Sequence, residues 1–172
     1  LKTAKAIEFL QNVAYQKNYT LEISSSEKTH VLTISPKTKF VKTENPVPFE
    51  LPTSSGKFKQ YQEYGKATFE LDGKSLTLAL YQSLDLMKMK KYKDYLFLPF
   101  RDETNEKETY GGGKYMDLKI PAGNEIILDF NQSYQPFCAY NAFDYNCPIV
   151  PEENKLPIRI EAGVMYEDVY HH

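Results

Sequence analysis

The chain has 172 residues and a formal net charge of −2, with 41% hydrophobic and 26% charged residues. That balance describes one globular domain large enough for a real core, and excludes a disordered chain. A near-neutral charge gives no broad electrostatic footprint for nucleic acid, and no stretch approaches the ~18 consecutive apolar residues of a membrane span.

Aromatic content is 14%, made of 14 Tyr and 10 Phe with no Trp. Tyr and Phe favour strands, and the absence of Trp argues mildly against a carbohydrate platform. No signal peptide is recognised and the chain begins at Leu1, which reads as a mature or truncated form. His171-His172 reads as a tag remnant, leaving His30 as the one further histidine. Ser-His-Asp and Cys-His machinery need a histidine beside the nucleophile, so both are disfavoured.

Residues 1–18 form a poorly defined N-terminal segment, within which residues 1–15 fit a short helix or a strand start. From Tyr19 the apolar period becomes two: Tyr19, Leu21 and Ile23, then Val31 to Ile34 after a Ser-rich turn, predict strands. Pro46, Pro48 and Pro52 mark an edge or loop. The clearest hairpin joins residues 66–71 to 74–80 through Asp72-Gly73, the pair preferred in a type I′ turn. Phe69, Leu71, Leu76, Leu78 and Leu80 should face the core. Lys88, Lys90, Lys91 and Lys93 read as a solvated face, with binding of phosphate or an acidic partner as the sharper alternative.

Residues 95–100 are apolar throughout, as in a strand buried on both faces. Residues 115–120 and 125–130 read as a second hairpin about Pro121, with Ile120 opposite Ile126, Leu118 opposite Leu128 and Met116 opposite Phe130. That register sets Asp117 against Asp129, a repulsive pair needing compensation. It also brings residues 111–114 beside Asn131 and Tyr134. A final short strand is expected at residues 158–160. The expected fold is all-β: a single-domain antiparallel sandwich or open barrel of roughly ten strands, with two long loops at one end.

Those loops, at Phe100-Tyr115 and Asp129-Asn154, are where a site belongs. Long irregular loops in compact domains are uncommon unless functional or disordered, and the second carries too many aromatics for disorder. Gly111-Gly112-Gly113 with Lys114 offers backbone N–H groups and a counter-charge to an anion, although it is not a Walker A loop. The plainer reading is a turn needing positive φ and close packing. Arg101 and Asp102 read as a loop-anchoring ion pair or ligand contacts. Glu152, Glu153 and Asn154 read as a cap or clamp. Cys138 and Cys147 read first as a local disulfide, which implies an oxidising compartment, and otherwise as free thiols. A zinc site is disfavoured, since two cysteines leave its coordination unfilled, and no EF-hand pattern is present.

The same loops resemble domain-of-unknown-function family 1684 of bacteria and archaea. The likeness rests on Phe100-Arg101-Asp102, Thr104, Thr109-Tyr110-Gly111, Gly113 and Tyr115. It continues through Asp129-Phe130-Asn131, Tyr134, Pro136, Cys138-Ala139-Tyr140, Cys147-Pro148, Glu153-Asn154, Leu156 and Ala162-Gly163. Lys114 stands where the family pattern has Arg, Ser133 replaces Ala, Gln135 replaces Asn, and a family Gly is missing around residues 105–107. Lys is no substitute for an Arg fork at a bidentate anion site. The resemblance implies an address for a site and no mechanism. It looks most like versions from Gram-negative bacteria that often carry export signals, which implies a periplasmic or cell-envelope location.

The leading expectation is a non-catalytic envelope module binding a small anionic ligand or peptide where the loops meet. Its site residues are Arg101, Asp102, Tyr110, Gly112, Lys114, Asn131, Tyr134, Tyr140, Glu153 and Asn154. No cofactor or metal is expected. The alternatives are a hydrolase using Asp102, Asp129 or Glu153, and a structural domain whose loops only seal the fold.

Overall fold

The computed structural model describes residues 19–26, 29–36 and 38–165, with side chains from residue 38 onward. The N-terminal segment of residues 1–18 and His171-His172 lie outside the described residues. Strands β1 (Tyr19–Ser26) and β2 (Thr29–Pro36) form a two-stranded antiparallel sheet, as the alternation from Tyr19 predicts. The other six strands make an open antiparallel sheet. They are β3 (Thr38–Lys42), β4 (Pro48–Pro52), β5 (Phe58–Leu71), β6 (Lys74–Ser83), β7 (Tyr95–Phe100) and β8 (Lys114–Lys119). The order is β3-β5-β6-β7-β8, and β4 shares the β3 edge of β5. The fold is all-β, as expected, with eight strands among the described residues.

Long β5 organises this sheet. Its C-terminal half pairs with β3 and its N-terminal half with β4, and the register shifts between Glu63 and Gly65. The bulge sits at a residue that has to be glycine. A Cβ on Gly65 would lie 2.5 Å from the Phe40 ring and 2.7 Å from the Val41 carbonyl. The β5–β6 hairpin turns at Asp72 and Gly73, with φ of 51° and 73°, the positive values a type I′ turn demands.

Strand parity sorts side chains into two cores. Phe69, Leu76, Leu78, Leu80, Leu96, Leu98, Phe100 and Met116 face one side, under Leu128, Phe130, Leu156, Ile158 and Ile160. The opposite face carries Tyr61, Ala79, Tyr81, Phe97 and Tyr115, packed on Leu51 and Val150. Strand β7 is therefore buried on both faces, as its unbroken apolar run predicts. The lysine run lies on a short helical connection between β6 and β7, and Lys88, Lys90, Lys91 and Lys93 are exposed.

The second predicted hairpin does not form. Strand β8 pairs with β7, setting Phe97 opposite Asp117 and Leu98 opposite Met116. Apolar β7 offers β8 a partner that covers both faces, and Pro121 supplies no N–H to extend a ladder around the turn. Residues 121–129 instead cross to β3, where Phe40 N donates to Asn124 O (2.7 Å) and Lys39 bridges to Glu125. Ile126, Leu128 and Phe130 still join Met116 in one core, so the apolar parity was right and the partner wrong. The predicted Asp117–Asp129 opposition disappears with that register. Residues 158–160 likewise form no ladder strand; Ile158 and Ile160 are buried in an irregular segment.

One defect in the sheet is filled by a side chain. Strands β6 and β7 pair only through Tyr81 and Phe97. Continuing that register sets Ala79 opposite Pro99, which has no N–H to give. Asn154, fully buried, inserts its amide there. Its Oδ1 accepts from Ala79 N (2.7 Å), and its Nδ2 donates to Ala79 O (2.8 Å) and Pro99 O (2.7 Å). The amide acts as a substitute peptide group. Its own backbone then starts a parallel run against the end of β7: Arg101 N donates to Asn154 O, Leu156 N to Arg101 O, and Glu103 N to Ile158 O. Replacing Asn154 by Ala strands two backbone carbonyls and an N–H in the interior, at about 1–3 kcal/mol for each unsatisfied group. We expect Asn154→Ala to lose at least about 3 kcal/mol in urea unfolding, and Asn154→Asp, which cannot donate, to be no better.

Candidate functional site

The first signature loop closes on a buried ion pair. Asp102 leaves the end of β7 and Lys114 begins β8, and neither side chain has any exposed surface. Their charged atoms are 3.1 Å apart. Lys114 Nζ also donates to Ile160 O (2.7 Å) and stands 5.9 Å from the centre of the Phe100 ring. Asp102 Oδ1 accepts from the backbone N–H groups of Thr104 (2.8 Å) and Ile160 (3.3 Å), while Oδ2 has only the ammonium opposite it. Thr104, Asn105 and Thr109 close the remainder of the loop on itself: the two hydroxyls meet at 2.9 Å, and Asn105 Nδ2 reaches Thr109 Oγ1 and Tyr110 O.

The glycines serve close approach. Gly113 has φ +99°, and a Cβ there would lie 2.7 Å from both the Phe100 carbonyl and Val150. A Cβ on Gly112 would strike the Tyr110 ring at 2.3 Å. Arg101 pairs with Glu106 at 2.9 Å. The cations available here to an anion, Arg101 and Lys114, are thus both in internal ion pairs.

The other residues proposed from sequence divide. Glu153 Oε1 accepts the Tyr81 hydroxyl (2.7 Å), and Asn154 fills the ladder gap. Asn131 turns back to Asp129, which caps a short 3-10 turn and receives Asn131 N and Nδ2. Tyr140 stands half exposed on the second loop. Only Tyr134 lines an aromatic cleft, with its ring, and its backbone ties the loops together: Tyr115 and Tyr134 exchange two hydrogen bonds of 2.8 and 2.9 Å. The two loops therefore do meet, through this bridge and not through the predicted hairpin.

That bridge borders an open cleft of about 400 Å³ on the aromatic face of the sheet. Its floor is a chain of rings: Tyr61 against Phe97 (5.8 Å), Phe97 against Tyr115 (4.8 Å) and Tyr115 against Tyr134 (6.0 Å). Lys59, Tyr95 and Asp144 also line it. The wall is the second loop, where Cys138 and Cys147 form a disulfide. Phe137 and Tyr145 stack at 5.1 Å within it. The loop is docked on the β4–β5 turn: Ser54 N donates to Cys147 O, Cys147 N to Ser54 Oγ, and Lys59 Nζ to Asn146 O.

Hydroxyl chemistry dominates the cleft. Tyr95 and Tyr134 both donate to Asp117 Oδ1, at 2.8 and 2.7 Å, and Tyr115 donates to Pro148 O. Tyr61 is only 6% exposed, lines the cleft, and has no hydrogen-bond partner for its hydroxyl among the described residues. Burial first, and the neighbouring carboxylates second, raise the tyrosine pKa values; Tyr61, with Asp85 nearby, rises to about 12. At neutral pH these groups are donors and cannot act as bases. No group of three His, Cys, Asp or Glu side chains among the described residues is placed to hold a metal ion, and no helix among them is long and apolar enough to cross a membrane.

The floor was missed from sequence, although a signal existed. Tyr95, Phe97 and Tyr115 occupy the opposite parity to Leu96, Leu98 and Met116, which marks a second, aromatic face.

A family model described as "Protein of unknown function (DUF1684)" matches residues 13–165. An uncharacterised protein of Haloarcula marismortui, solved by solution NMR, is 34% identical, with a TM-score of 0.62 over 80% of this chain and 72% of that one. No curated protein matches.

Three outcomes follow from this geometry. Lys114→Met, which leaves Asp102 buried without its counter-charge, should cost about 3–5 kcal/mol in urea unfolding. Thiol titration of denatured protein should find no free thiol without reductant and two with it, and reduction should remove roughly 2–3 kcal/mol for a loop this short. Unfolded tyrosine ionises near pH 10 while Tyr61 holds its proton to about 12. The stability it contributes is full below about pH 10 and is lost as pH rises toward 12, so Tyr61→Phe should flatten part of the alkaline fall.

Proposed function

The chain belongs to the DUF1684 family, and from its tyrosine cleft we propose that it is a non-catalytic binding module of the cell envelope. The observation that carries this reading is the Tyr61 hydroxyl: on a side chain otherwise packed in the core, it faces an open aromatic cleft and has no protein partner among the described residues. A donor that no protein group engages, set in a concave site, is available to a ligand. The disulfide that forms the wall supports an oxidising compartment, hence export.

Of the two ligand classes suggested by the sequence, small anion and peptide, the cleft favours the peptide. Its lysine, Lys59, already donates to Asn146 O, and Asp144 adds a negative charge to the lining. Arg101 and Lys114 are held by Glu106 and Asp102. The hydrolase reading receives no comparable support. Asp102 is sealed against Lys114, Asp129 caps a turn, and Glu153 accepts a tyrosine hydroxyl.

The test is NMR screening of the labelled protein against a mixed panel of small anions, oligosaccharides and short peptides. We expect binders to shift the amide signals of Lys59, Tyr61, Tyr95 and Tyr134. Shifts confined to residues 101–114, or none from any panel member, would reject the cleft as the site.

A further inference from the structure

We infer that Tyr95, Asp117 and Tyr134 form a binding site for a ferric ion at the rim of the cleft, through two phenolates and a carboxylate. The inference goes beyond the peptide reading and stands without it. The topology brings the three oxygens together. Tyr95 lies two residues from Phe97 on β7, and Phe97 faces Asp117 on β8, so Tyr95 and Asp117 are diagonal neighbours on one face. The bridge between Tyr115 and Tyr134 sets Tyr134 beside the same stretch of β8. Asp117 Oδ1 accepts both hydroxyls, at 2.8 Å from Tyr95 and 2.7 Å from Tyr134. An octahedral hard cation with metal–oxygen bonds of about 2.0–2.1 Å holds neighbouring ligand oxygens about 2.8–3.0 Å apart. Exchanging the two phenol protons for one cation therefore asks for little movement of the oxygens.

The donor set selects the ion. Two phenolates and one carboxylate together balance the charge of a trivalent cation. Phenol oxygens are hard donors, and only a strongly acidic cation displaces their protons at neutral pH, whereas Ca2+ and Mg2+ take carboxylate, carbonyl and water oxygens. Without a cation the anionic forms are opposed. Burial, then Asp117, then the Tyr134 and Tyr61 phenols push Tyr95 up, and burial, Asp117 and Tyr61 do the same to Tyr134. A bound metal reverses that sign, because its charge favours every anion around it. The salt bridges among the described residues leave Asp117 without a cation. An independent observation marks the same spot. Tyr61, 6% exposed, turns a hydroxyl with no protein partner among the described residues toward the same cleft. That hydroxyl, near enough to both phenols to push them up, is left to donate to the water or small anion that completes the ion's coordination. Asp117 is exposed and Tyr95 and Tyr134 are half-buried, so an ion has an entry path.

The experiment titrates the disulfide-intact protein with ferric nitrilotriacetate at neutral pH and reads the visible phenolate-to-iron charge-transfer band, which carboxylates alone do not give. We expect the band to saturate at a single iron per chain. Gallium(III), diamagnetic and of the same charge, should shift the amide signals of Tyr95, Asp117 and Tyr134 in the labelled protein. Tyr95→Phe and Tyr134→Phe each keep the ring and remove one ligand oxygen. Each should weaken iron binding by at least about a hundredfold, the upper end for loss of a group that only supports a ligand. Asp117→Asn, on the surface, keeps an acceptor for both hydroxyls in the iron-free fold and should cost as much. Tyr61→Phe should weaken binding about tenfold. Tyr64→Phe, at a ring stacked on Phe40 and outside the cleft lining, should leave the band unchanged. No band, or a band that persists when Tyr95→Phe and Tyr134→Phe are combined, which is an adventitious ion only, overturns the site. So does undiminished iron binding in folded Asp117→Asn. Each of these results leaves the peptide reading of the cleft to its own NMR panel.

Discussion

The fold depends on a side chain standing in for a peptide bond. Pro99 interrupts the ladder between β6 and β7 at the centre of the sheet, where a missing donor is most costly. Asn154 supplies both a donor and an acceptor at that gap, reaching Ala79 and Pro99 at once. The arrangement ties the chain's C-terminal quarter to its middle. Once Asn154 is placed, residues 154–158 run beside the end of β7, and Ile160 arrives where its backbone meets Asp102 and Lys114. The buried ion pair is a consequence of that route, because the carbonyl that completes the lysine's coordination comes from the same segment.

Seen this way, most of the polar residues in the two long loops hold the fold. Asp102, Lys114, Thr104, Thr109 and Asn154 bind one another or the backbone, in an interior where an unpaired polar group is expensive. Their work frees the opposite face of the sheet. There the disulfide loop leans over a row of aromatic rings without sealing it, and the Tyr61 hydroxyl faces the cleft without a protein partner among the described residues. The structural and candidate binding roles are thus divided between the two faces of β7 and β8 by simple alternation.

Alternation was also what made the fold legible. The period of two from Tyr19, the Asp72-Gly73 turn and the unbroken apolar run of β7 each reflect local chemistry, and each appears where the pattern places it. The second hairpin failed for a reason that local pattern cannot contain. Residues 115–120 could satisfy their apolar face against 125–130 or against β7, and both choices preserve parity. Only the whole sheet decides, because β7 needs a partner on its far edge and Pro121 weakens the local alternative.

The sequence by itself determined the class of the fold and the main hairpin, and made the Cys138–Cys147 pairing the first of two readings; it placed the two loops together through a hairpin that does not form. The first three follow from backbone preferences, from short separation along the chain and from residue types with few alternatives. Tertiary structure decided what each loop residue is for. Lys114 looks the same in sequence whether it faces an anion or a buried aspartate, and Asn154 the same whether it contacts a ligand or repairs a ladder. Tyr61 gave no local sign of its role, because its open hydroxyl exists only once Phe97, Tyr115 and the disulfide loop, distant in the chain, have folded around it.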